Sequence, residues 1–139
     1  MNALRATAWA YGATIAIHLV DHLLRGTGAS PGGVIALGTL ALAAQVLAIV
    51  AVLRGHRYGA LLAFAVGLPD ALGVVAVHLL PTWSALSDSY AGGAPGTTWF
   101  SWTTAIAEVL AAAAFAAAGW ARMRRGPAPH DREPGLGTV

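Results

Sequence analysis

Four apolar runs of about twenty residues, separated by short polar breaks, constrain this chain more than any other feature of it. An α-helix rises 1.5 Å per residue, so each run is long enough to cross a hydrocarbon layer roughly 30 Å thick. The first covers about 6–24, the second about 34–53, the third about 58–80 and the fourth about 99–121. The breaks are sharp. Residues 26–33 hold one Pro and four Gly, Arg54-Gly-His-Arg57 is a tight charged turn, and 81–98 is a longer loop of Ser, Thr, Gly and Pro. With only 10% charged residues, where soluble domains carry about a quarter, the pattern predicts an all-α, integral-membrane four-helix bundle over 1–125. The Pro/Gly-rich polar stretch 126–139 reads as a disordered cytoplasmic tail. The first run continues to Leu24 without a cleavage motif, so it reads as an anchored span and not as a removed secretory signal.

The arginines orient the spans. Arg54 and Arg57 lie between spans two and three, Arg122, Arg124 and Arg125 close span four, and Arg5 precedes span one. The loop after span three has no basic residue, and the loop after span one has Arg25 alone. Positive residues stay on the cytoplasmic side, so both termini are expected inside and the two Gly/Ser-rich loops outside. Trp83, Tyr90, Trp99 and Trp102 then belong to an outer aromatic belt. The chain uses no Lys and abundant Ala and Gly, a coding bias of GC-rich bacteria, which points to a bacterial inner (cytoplasmic) membrane. It has no Cys, so disulfides and Cys-ligated metals are excluded. A net charge of +2, carried at helix ends, is too sparse for a nucleic-acid surface.

Ionisable residues inside such spans cost a few kcal/mol each and are by default a functional site. His18, Asp21 and His22 stand at i, i+3 and i+4 on one helix face near the outer end of span one. Two imidazoles one turn apart with a carboxylate beside them suit a metal ion, the third group acting as ligand or as a holder of the His tautomer. The order is not the H-E-x-x-H of zinc hydrolases, so that chemistry is not implied. A competing reading makes His22 and Arg25 interfacial residues, with Asp21 paired to Arg25 at i+4. Ala76-Val-His78-Leu-Leu80 resembles Ala16-Ile-His18-Leu-Val20 earlier in the chain, so His18 and His78 are expected at one depth. Facing histidines suit a metal bridge or a bis-His haem b.

Glu108 lies about 13 Å below the outer end of span four, and Asp70, after Pro69, about 15 Å below that of span three. Gln45 is near mid-membrane in span two, where a competing, purely structural reading pairs it with Glu108 as an interhelical hydrogen bond. The loop segment Trp83-Ser-Ala-Leu-Ser-Asp-Ser-Tyr90 is long for a helix connection and reads as an outer lid, from which Asp88 reaches toward the histidines. His56 and His130 fall on the cytoplasmic side.

Three functions follow. The first is a site for a transition metal ion or haem b, with His18, Asp21, His22, His78 and Glu108 as the metal set, serving redox, metal handling or lipid/quinone chemistry. The second is a proton- or cation-coupled transporter or channel, with Asp70, Glu108 and Gln45 as its relay. The third is a non-catalytic subunit bonded through these groups to a membrane-complex partner or to a second copy of itself. No nucleophile elbow, phosphate loop or dinucleotide fingerprint is present, so whether the chain is an enzyme stays open.

Overall fold

The computed structural model describes residues 2–26 and 28–125, and the expected tail at 126–139 lies outside them. The described residues form four long helices: α1 (Ala3–Arg25), α2 (Gly32–Leu53), α3 (Gly59–Val74, prolonged by a five-residue π-helical turn, Val75–Leu79) and α4 (Trp99–Arg124). Their ends are written in the sequence. Asn2 caps α1 by accepting from the Arg5 N–H, and Thr98 with Ser101 closes a capping box on α4. Pro31 precedes α2, where its missing N–H is not needed. Gly26 ends α1 at φ 92°, a conformation that a side chain would strain.

Three of these helices are long and apolar enough to cross a membrane: α2 with 22 residues, α3 with its π turn (21 residues), and α4 with 26. α1 is as long but is not among them, because Arg5, His18, Asp21, His22 and Arg25 share its 23 residues. Large apolar side chains face outward: Leu40 is 70% exposed and Leu47 68%.

α4 packs most intimately on α3 and next on α1, while α2 rests on α3 and more lightly on α1. The core joins Ala8, Tyr11, Ala48, Ala63, Ala112 and Phe115. Small residues set the α3–α4 distance. A Cβ at Gly119 would lie 2.5 Å from the Ala60 carbonyl oxygen, and one at Gly67 would lie 2.7 Å from that of Ala112. Backbone cannot yield as a side chain can. Gly119→Val should therefore force α3 and α4 apart and cost about 1–3 kcal/mol by thermal unfolding in detergent, whereas Gly38→Ala, with open space at its Cβ, should not.

Candidate metal centre

The site forms where the α3–α4 loop folds back over the end of α3. The Leu80 N–H bonds the Val75 carbonyl, an i→i−5 step that breaks α-helical register and carries His78 with it. A helix end leaves carbonyls without partners, and here the loop supplies them. The Trp83 indole donates to Ala76 O at 2.7 Å, Asp88 N to Val77 O at 3.0 Å, Tyr90 N to His78 O at 2.9 Å, and the Ser89 hydroxyl to Leu80 O at 2.6 Å. The loop is thus fixed to the helix that carries the third histidine.

Under this loop three imidazoles meet. The ring centroids of His18 and His22 are 5.0 Å apart, those of His18 and His78 5.1 Å, and those of His22 and His78 5.4 Å. One ring nitrogen from each lies within 4.8 Å of the other two. Each Nδ1 has its own partner. His18 Nδ1 donates to Glu108 Oε2, and His78 Nδ1 donates to the Asp88 carbonyl at 3.2 Å. Ser30 gives its single hydroxyl proton to Asp88 Oδ2 at 2.8 Å, so its oxygen accepts from His22 Nδ1 at 3.3 Å. A carbonyl and a carboxylate can only accept. All three rings are therefore set with the proton on Nδ1 and the lone pair on Nε2. The Tyr90 hydroxyl stands 3.3 Å from His18 Nε2, and its ring stacks on His78 with centroids 4.8 Å apart.

The loop is latched by charge. Arg25 forks onto Asp88, with two N–H···O bonds of 2.8 Å, donates a third bond to Pro95 O, and lies 5.1 Å over the Tyr90 ring. Both side chains of the pair are 1% exposed. Burial alone would raise the Asp88 carboxyl, but the Arg25 and Ser30 hydrogen bonds and the Arg25 charge outweigh it and hold that carboxyl below the usual range. Of the lid residues, Asp88 and Tyr90 are buried, so Tyr90 belongs to the site and not to an outward aromatic belt, while Trp83 is exposed.

The two pairings that the competing structural readings offered are not the ones formed. Arg25 takes Asp88, 63 positions away, and not Asp21. Asp21 turns to α4, where its Oδ1 accepts from the Ser101 hydroxyl at 2.7 Å, and the three imidazoles gather without it. Gln45 bonds Asp70 and not Glu108: its amide donates to Asp70 Oδ1 at 2.6 Å, and the Tyr11 hydroxyl donates to Oδ2 at 2.7 Å. Glu108 is left to hold His18.

Ser30 and Tyr11 carry polar contacts that sequence reading did not single out. Tyr11 had a signal, standing at i−7 from His18 on the same stripe of α1 as Ile15 and His22. Ser30, in a Gly/Pro-rich turn, had none. A cavity of about 610 Å³ opens beside the imidazoles and runs down to Asp70 and Gln45.

No protein-family model matches the chain, and no curated protein or solved structure matches it.

Proposed function

We propose that this chain is a multi-pass protein of a bacterial inner membrane, both termini cytoplasmic, that binds one divalent transition-metal ion through His18, His22 and His78 in the outer half of the bilayer. One observation carries the reading: every Nδ1 in the trio is held by a separate acceptor, which leaves Nε2 as the lone-pair nitrogen of each ring, and one ring nitrogen from each histidine lies within 4.8 Å of the other two. Metal-binding histidines are held in this way, the second nitrogen donating to a carboxylate, a carbonyl or a hydroxyl. Tetrahedral ligands about 2.0–2.1 Å from zinc are roughly 3.3 Å apart, so nitrogens already within 4.8 Å need only side-chain adjustment to close on an ion.

Three neutral imidazoles suit zinc, copper, iron or nickel and leave one position for a water or a substrate. That is the ligand set of a catalytic or exchangeable site, in contrast to a closed structural one. A bis-His haem needs its two rings on opposite faces of a flat macrocycle. His18 and His78 meet edge to face at 5.1 Å, which favours an ion over haem b. The transporter reading has less support, since both Asp70 oxygens are engaged by Tyr11 and Gln45.

The test is metal content of detergent-purified protein expressed with zinc, iron, copper and nickel supplied. One ion per chain is expected. Glu108→Gln, which weakens the acceptor on His18 without touching a ligand, should reduce affinity about 10–100-fold, read by competition against a chromophoric chelator. A folded protein that stays empty under every metal sinks the reading.

A further inference from the structure

The half of α2 nearest the loop stands away from the other helices. No residue from 35 to 44 is buried, whereas Gln45, Ala48 and Val52 further along are packed. The cavity occupies that gap. Its walls are apolar side chains of three helices, among them Ile15, Leu19, Leu42, Val66, Val74 and Val77. From Val34 to Gln45 it runs about 16 Å along α2. The two ends differ. At one, Asp70 is satisfied within the protein; at the other are the three imidazoles. A long apolar trough with one polar end matches an amphiphile with a single chain, and the exposed Leu37 and Leu40 beside it lead to the surface that faces lipid under the proposed topology.

We infer that the cleft binds a long-chain carboxylate, its chain between α2 and the α1/α3 pair and its carboxylate at the open position of the ion held by His18, His22 and His78. The head-group half of this rests on the metal reading. A divalent ion on three neutral imidazoles keeps its full charge and lacks an anionic oxygen donor, which a carboxylate supplies. Glu108 bonds His18 through Oε2, and among the described residues no carboxylate oxygen joins the three imidazole nitrogens within 4.8 Å. The chain half rests on the cleft alone.

Glycine gives a clean test. Gly38 and Gly73 both line the cleft, and a Cβ on either meets nothing within 4 Å. Gly38→Leu and Gly73→Leu therefore add bulk to the lining of the trough without a clash at Cβ and without altering a histidine, and they replace a poor helix former by a good one. The probe is a photoreactive, alkyne-tagged palmitate, added to zinc-loaded protein in nanodiscs and competed with untagged palmitate, hexadecanol or a long-chain quinone. Labelling should be saturable, fall on peptides of α2 and α3, and weaken at least tenfold in the Leu variants while their zinc content stays unchanged. Shorter acids should compete less well, by about three- to fourfold per methylene removed, once the chain is shorter than the cleft. Palmitate should outcompete hexadecanol and the quinone with zinc present, and that preference should vanish in His78→Ala. Equal competition by the alcohol or the quinone overturns the carboxylate assignment. Zinc bound with no saturable labelling overturns the cleft and leaves the metal site standing. Saturable labelling blocked by the Leu variants, in protein that holds no zinc, overturns the metal site and leaves the cleft.

Discussion

His78→Ala should abolish tight metal binding and leave the helices in place. Loss of a group that only orients a ligand costs about 10–100-fold in affinity, so loss of one of three ligands should cost more. Two imidazoles one turn apart on α1 remain in the variant, but two ligands from one helix do not close a tetrahedral site. The fold should tolerate the change. His78 sits on the π turn at the end of α3, and the bonds that tie loop to helix, from Trp83, Asp88, Tyr90 and Ser89, all end on backbone carbonyls that alanine keeps. The cost is the lost hydrogen bond to the Asp88 carbonyl and the lost stacking on Tyr90, together on the order of 2–4 kcal/mol. The measurement is thermal unfolding with and without zinc. At a hundredfold excess over its dissociation constant, bound metal should stabilise the wild type by about 2.7 kcal/mol. His78→Ala should show no such gain, and His56→Ala, in the exposed turn after α2, should keep it in full. Equal gains in all three proteins would place the ion elsewhere.

The helices were legible in the sequence because length, hydropathy and breakers act locally. Spans read at about 34–53 and 99–121 appear as Gly32–Leu53 and Trp99–Arg124, ended by the Pro, Gly and Thr signals that marked them. The shared depth of His18 and His78 was also legible, since two spans running the same way put equivalent positions level. What spacing could not give is which neighbour a side chain faces. Periodicity fixes the face of a helix but not the helix opposite. Arg25 had a local candidate in Asp21 and a distant one in Asp88, and the loop's return over α3 decided it. Gln45 had two carboxylates at similar depth, and the stronger α2–α3 packing gave it Asp70. The π turn was not visible at all. It arises from the bonding of Leu80 to Val75, and Val75–Leu79 alone reads as ordinary helix.

Asp88→Ala should cost about 3–5 kcal/mol, because it strips a buried guanidinium of the one carboxylate it bonds among the described residues. The loss reaches the metal centre. Ser30 loses the acceptor of its proton, so its oxygen is no longer committed to accepting from His22, and that ring is free to turn. Arg25→Ala alone leaves the opposite charge buried and should cost a similar amount. The double variant should cost much less than the sum, since it buries neither charge, and a thermodynamic cycle reads that coupling directly. Acid should imitate the single variant. The folded carboxyl titrates below the roughly 3.9 of a free aspartate, so its stabilisation is complete above that value and is lost as pH falls through the folded one. Between neutrality and about pH 5, wild type and Asp88→Ala should therefore keep a constant gap in stability, which narrows only below pH 4. A gap that closed near pH 6 would mean that histidine, and not the Arg25–Asp88 latch, holds the loop over the site.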